Sequence, residues 1–159
     1  MIGASAGGVS ALISLLGELP ADYRLPVVVL LHLPDDRHSE LAQVLQRRLA
    51  LQVKEAEGGE LLQPGWVYVA PPGYHLLVER ERSFSLSREA PLHHSRPSID
   101  VLFDTAADAY GAGLAAVLLT GANHDGAAGL ATVKARGGMT LVQDPHDAQV
   151  PTMPEAALA

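Results

Sequence analysis

The sequence predicts a three-layer α/β/α fold: a mainly parallel sheet between helices, carrying an antiparallel hairpin insertion. Three observations lead there. Wholly aliphatic runs such as Val27–Leu31 and residues 114–119 read as strands covered on both faces. Stretches with apolar residues at helical spacing alternate with them, as in a sheet built from parallel crossovers. Between the two halves, residues 53–88 break into short runs punctuated by Pro and Gly, which is hairpin grammar.

The elements follow in order. After Gly8, residues Val9, Leu12, Ile13 and Leu16 share one helical face. Val27–Leu31 is the next strand. Ser39 reads as an N-cap, with Leu41, Val44, Leu45 and Leu49 as the stripe of a second helix. Residues 66–70, 74–78 and 83–86, separated by Gln63-Pro64-Gly65, Pro71-Pro72-Gly73 and residues 79–82, predict antiparallel hairpins. After Ser98, residues Ile99, Leu102, Phe103, Ala106 and Tyr110 form another helical face. A buried strand at 114–119 precedes a helix at 126–136, closed by Gly137-Gly138. Residues 139–143 make a final strand, and Pro154 is placed to open a last helix. No repeat or low-complexity linker interrupts the pattern. A parallel sheet normally has a strand before Gly3, where only Met1-Ile2 stand, and the last helix has barely begun at Ala159. The expectation is one domain over residues 1–159, shortened at both ends.

Composition narrows the function. With 159 residues, 48% hydrophobic and 18% charged, the chain has the balance of a globular domain. It contains no cysteine, which excludes disulfides, thiolate catalysis and Cys-based zinc sites and suits a reducing, cytoplasmic setting. No signal peptide is visible. The longest apolar stretch, residues 26–33, is too short to span a bilayer, so membrane insertion is not expected. A net charge of −7 argues against nucleic acid as the main partner. The small Arg47-Arg48 and Arg80/Arg82 clusters suit solvated surface.

Three groups could carry chemistry. Gly3-Ala4-Ser5-Ala6-Gly7 matches G-x-S-x-G, in which small residues let a sharp strand-to-helix turn present the serine hydroxyl beside free amides. The match is weak alone, because a glycine-rich turn whose serine caps the next helix looks the same. A phosphate cradle is disfavoured, since there is no G-K-[ST] and the spacing is wrong for G-x-G-x-x-G. His32 closes an aliphatic strand at the carboxyl edge of the sheet, where packing would be served equally by leucine. Asp125, in the loop after the 114–119 strand, would reach the same crevice, although an isolated aspartate there would more often cap the following helix. Together the three offer a nucleophile, a base and a group to orient the base. Asp144 is a rival acid at the same edge, whereas Asp35 and Asp36 suit a surface loop. The adjacent pairs His93-His94, His124-Asp125 and His146-Asp147 lack the H-x-x-x-H spacing of two ligands on one helical face. Neither a metal nor a cofactor is expected.

On further residues the chain resembles a known family. Gly3-Ala4-Ser5-Ala6-Gly7-Gly8, His32 before a proline-containing loop, Arg96-Pro97-Ser98-Ile99-Asp100-Val101-Leu102-Phe103, Leu119-Thr120-Gly121, Asp125-Gly126-Ala127, Gln143-Asp144 and Met153-Pro154 look like the catalytic domain of CheB, the chemotaxis methylesterase. Ala70-Pro71 and His75 also match its general form. The resemblance covers essentially the whole chain. It implies a serine hydrolase that removes methyl esters from chemoreceptor glutamates and deamidates receptor glutamines. Ser5 would be the nucleophile, His32 the base and Asp125 the acid, with amides such as those of Ala6 and Ala122 around the oxyanion. The implied partners are the cytoplasmic helices of methyl-accepting chemotaxis receptors, with a receiver domain in cis or in trans; no receiver domain is recognised within these residues. Where the family carries Gly-Met-Gly, this chain has Gly121-Ala122-Asn123, and Asn123 alters the loop if that position needs a positive φ. Other readings are a catalytically degenerate domain that binds receptors or a signalling partner, and a hydrolase of another ester.

Overall fold

The structure is a computed structural model, and it describes residues 1–33 and 38–159. Asp35 and Asp36 lie outside the described residues. The described residues form eight strands and five α-helices: β1 (Ile2–Ala4), α1 (Gly8–Leu16), β2 (Val27–Leu31), α2 (Leu41–Gln46), β3 (Gln52–Glu55), β4 (Trp66–Val69), β5 (His75–Val78), β6 (Phe84–Ser87), α3 (Ile99–Tyr110), β7 (Ala115–Leu118), α4 (Ala127–Ala135), β8 (Met139–Val142) and α5 (Thr152–Leu158). Six strands form one sheet in the order β3-β4-β2-β1-β7-β8, and every pairing in it is parallel.

Alternation along the strands divides the interior in two, because successive side chains leave a strand on opposite faces. Val28 and Leu30 of β2, with Tyr68 of β4 and Ala116 and Leu118 of β7, pack against Ile99, Leu102, Phe103 and Ala106 of α3, Leu130 and Val133 of α4, and Met153 of α5. Val27, Val29 and Leu31, with Ile2, Ala4, Val67 and Val69, face Leu12 and Leu16 of α1 and Leu41 and Leu45 of α2. Five buried residues in a row in β2 therefore reflect two cores served by one strand.

The segment at 53–88 differs from expectation. Only β5 and β6 pair antiparallel, as a separate two-stranded sheet. Trp66–Val69, expected in a hairpin, is instead β4, parallel to β2 on one side and to β3 on the other. The Gln63-Pro64-Gly65 turn marks a reversal correctly, but a turn does not say which distant strand the chain will join. Burial of Val67, Tyr68 and Val69 favours an interior place in the main sheet. The hairpin β5–β6 lies over the α3 side, contributing Leu76, Val78 and Phe84 to that core.

β1 is only three residues long, yet it is paired on both sides, to β2 and β7. The strand order reverses there, with β2, β4 and β3 on one side and β7 and β8 on the other. The crevice beyond the carboxyl end of β1 is thus the switch point at which open α/β sheets bind ligands.

Candidate active site

Ser5 and His32 leave the sheet side by side. Ala4 stands opposite Leu31 in the β1–β2 register, so Ser5 and His32 are the first residues past two neighbouring strand ends. The backbone holds both: the His32 amide donates to the Ala4 carbonyl at 3.1 Å and the Ser5 amide to the Thr120 carbonyl at 2.9 Å. The chain then turns sharply into α1. Gly7 sits at φ 80°, where a side chain is disfavoured, and the Gly8 amide closes the turn on the Ser5 carbonyl at 2.8 Å. The Thr120 hydroxyl lies 2.8 Å from the Ala6 carbonyl oxygen and fixes that peptide from β7's side.

Asp125 completes a pair with His32. Its Oδ2 lies 2.7 Å from His32 Nε2, and the carboxylate is fully buried. The same carboxylate accepts from the Ser98 hydroxyl at 2.8 Å, the Ile99 amide at 2.6 Å and the Asp100 amide at 3.0 Å. Burial alone would raise this carboxyl. The bonds donated by His32, the amides of Asp100 and Ile99 and the Ser98 hydroxyl outweigh burial and hold it below its ordinary value. An ionised Oδ2 requires a proton on Nε2, which leaves Nδ1 as the basic nitrogen of His32.

Asp125 caps a helix, but not the one it precedes. It takes the first amides of α3, whereas the first amides of α4 go to Asp100, whose Oδ1 accepts from Gly126 at 2.9 Å and Gly129 at 2.7 Å. Each acid caps the other's helix. Burial pushes the Asp100 carboxyl above its ordinary value, against the pull of the Gly129 amide, and the negative charge of Asp125 pushes the same way. His93 Nε2 lies 3.2 Å from Asp100 Oδ2.

His93, Asp100 and Asp125 bring potential ligand atoms within 4.8 Å of one another. The donors around Asp125 and on Asp100 Oδ1 occupy the lone pairs a cation would need, and the remaining oxygen of Asp100 faces His93. The cluster acts as a hydrogen-bonded brace.

Asp144, the rival acid, is exposed. Its Oδ1 accepts from the His146 amide at 2.9 Å within its own turn, away from His32. Ala6 and Ala122 are exposed at the ends of the two loops, and among the described residues nothing accepts from either amide. Asn123 does not adopt a positive φ. Its Oδ1 accepts from the Asp125 amide at 3.1 Å, so the side chain braces the acid's loop.

Ser5, His32, Ser95, Arg96 and Asn123 line a hollow of about 320 Å³. A larger hollow of about 660 Å³ between α1 and β8 contains Asp144 but neither Ser5 nor His32, so size does not mark the site. Sequence reasoning missed the clamp on Asp125. Ser98 and Asp100 were legible as the start of a helix and as part of the block that carries the resemblance, and nothing local says that the start of α3 grips a carboxylate placed before α4.

The whole of residues 1–159 matches the family model described as CheB methylesterase. The chain belongs to the CheB methylesterase family. The fold agrees: the crystal structure of the Thermotoga maritima CheB methylesterase catalytic domain superposes with a TM-score of 0.93 at 36% identity, covering 99% of this chain and 85% of that one. An Archaeoglobus fulgidus relative, named protein-glutamate methylesterase/protein-glutamine glutaminase, is 39% identical over 161 residues, covering 99% of this chain and 46% of the relative. A Leptospira interrogans protein given the same pair of activities provisionally is 44% identical over 158 residues, and 82% of its length is covered. The family reading and the fold class expected from sequence therefore both hold. Among the described residues no helix is long and apolar enough to cross a membrane.

Proposed function

We propose that this chain is a protein-glutamate methylesterase, also active as a glutamine deamidase, working on chemoreceptor helices in the cytoplasm through Ser5, His32 and Asp125. The observation that carries the reading is the 2.7 Å pairing of His32 with buried Asp125 at the sheet edge where Ser5 also emerges. The degenerate-domain alternative is not favoured, since the pair is intact and relatives carry enzyme names.

The chemistry follows from the proton placement. His32 Nδ1 takes the Ser5 proton as Oγ attacks the γ-glutamyl ester carbon. The amides of Ala6 and Ala122 are the candidate donors for the oxyanion, which needs fixed N–H groups unclaimed by other acceptors. Collapse of the tetrahedral adduct expels methoxide, protonated from Nδ1 to methanol, and leaves a γ-glutamyl ester on Ser5. Water, deprotonated by the same nitrogen, then hydrolyses that ester to glutamate and free serine. A glutamine side chain runs the same course with ammonia as the leaving group. Asp125 stays ionised and holds the imidazole in one tautomer. Here Nε2 faces the acid, which assigns the base role to Nδ1, the reverse of the familiar serine protease arrangement. Regulation by a receiver domain, in cis or in trans, belongs to the same proposal and rests on the family resemblance.

The test is methanol release from methylated receptor membranes, together with labelling by a fluorophosphonate probe. The unsubstituted chain should release methanol and label at Ser5, and Ser5→Ala should do neither. Turnover by Ser5→Ala above about a thousandth of the starting rate would remove Ser5 as nucleophile.

A further inference from the structure

Behind the His32–Asp125 pair stands a second histidine that the reaction does not use. His75 opens β5 and is 3% exposed. Its Nε2 lies 3.0 Å from the Ala90 carbonyl oxygen, and its Nδ1 receives the Ser98 amide at 3.2 Å. A carbonyl can only accept and an amide N–H can only donate. The ring must therefore carry its proton on Nε2 and a lone pair on Nδ1.

Ser98 is the N-cap of α3, and its hydroxyl accepts from the Val101 amide at 3.5 Å. In a capping box the third helical residue would return the bond by accepting the cap's own amide. That residue is Val101, which has no acceptor. His75 supplies the missing acceptor from a different element, the hairpin. The Ser98 hydroxyl proton is then free for Asp125, at 2.8 Å, and the next two amides follow it onto the same carboxylate. One consistent set of protons runs from the Ala90 carbonyl through His75, Ser98 and Asp125 to His32.

We propose that His75 is a positioning residue for the catalytic acid: by anchoring the Ser98 amide it fixes the N-terminus of α3, and so the orientation of Asp125 and the tautomer of His32. The proposal rests on the triad reading above. Leucine would fill the same volume but leave the buried Ser98 amide unpaired, freeing the cap to rotate away from Asp125.

Three substitutions in the full chain separate the roles of the ring. His75→Asn retains an acceptor where Nδ1 stands. His75→Gln carries its amide out to the Nε2 position, leaving no acceptor where Nδ1 stands, and His75→Phe keeps a ring with neither. Methanol release supplies kcat and KM, and long-range 1H–15N spectra of the His32 ring report its tautomer. We expect His75→Asn to keep kcat within about threefold, and the other two to lose about ten- to a hundredfold in kcat at unchanged KM, the scale seen when outer-shell partners of metal-bound histidines are removed. In those two the His32 ring should depart from a single Nε2–H form. The proposal is overturned if Gln and Phe preserve kcat and the tautomer, or if Asn falls as far as Phe. Should His75→Phe not fold, the Asn and Gln pair decides by the same criteria. The tautomer readout does not depend on turnover, so active Ser5→Ala would sink the triad reading while leaving this proposal to be judged on the spectra.

Discussion

At the scale of single residues, Asp125 is the most constrained group in the crevice. Both its oxygens accept from N–H or O–H donors, counting His32, Ser98, Ile99 and Asp100. An amide in its place must turn an NH2 group toward one set of donors, whichever way it flips. Asp125→Asn should therefore lose about four orders of magnitude in kcat, as a mis-set imidazole tautomer does elsewhere. It should also lose about 1–3 kcal/mol of stability for the buried donors left unmatched. Asp144→Asn should leave kcat nearly unchanged, since that side chain serves its own turn. Parallel kinetics and urea melts on both variants decide; loss of kcat in Asp144→Asn instead would reassign the acid. The two buried acids also differ in sign with pH. Asp125 has a lowered native pKa, so its contribution to stability is present above the ordinary carboxylate value, about 4, and is lost as pH falls through the lower native value. Asp100 has a raised native pKa, so its ionisation costs stability, and that cost appears as pH rises through the ordinary value toward the native one. Asp100→Asn, which keeps the Oδ1 acceptor for Gly126 and Gly129, should be at least as stable as the parent at pH 7. Its advantage should shrink on acidification toward pH 4, as measured by urea melts at both values.

Among the elements, α4 is closed by a glycine at each end, and the two do different jobs. Gly126 sits at φ 99°, and a Cβ there would come within 2.5 Å of Leu118 and 2.9 Å of Ile99. Gly137 sits at φ 86° with nothing closer than 3.6 Å, and the Gly137 and Gly138 amides turn back onto Lys134 and Val133 in a Schellman pattern. Gly137→Ala should cost about 1–2 kcal/mol, the conformational term alone, with kcat unchanged. Gly126→Ala should cost more, about 2–4 kcal/mol once crowding is added, and should lower kcat because it shifts the residue after Asp125. Denaturant melts and turnover measured on both would test the contrast. The C-terminal Gly137 signal was legible in sequence, as were the helix that follows Ser98 and the buried character of β2. The place of β4 was not, because local turn signals carry no information on a partner strand more than thirty residues away. Nor was the exchange of caps between α3 and α4, since an aspartate before a helix ordinarily serves that helix.

Over the whole molecule, what sequence showed best was the edge of the sheet. Three groups that each follow a strand could be assigned to one crevice because a parallel sheet brings its carboxyl ends together. Which acid met His32 needed the resemblance and then the geometry, because Asp125 and Asp144 are equivalent at the level of topology. The short β1 places Ser5 between β2 and β7, at the point where the two halves of the sheet diverge. The exchange of caps has a consequence for how the protein comes into being. Asp125 is oriented by α3 while it belongs to the loop before α4, so its carboxylate is set only once those two helices have docked. On the proposed triad, a chain in which α3 and α4 have not docked should be silent as an enzyme even with Ser5 and His32 already adjacent. In a denaturant titration, turnover should vanish in step with the global transition seen by circular dichroism, without an earlier phase of its own.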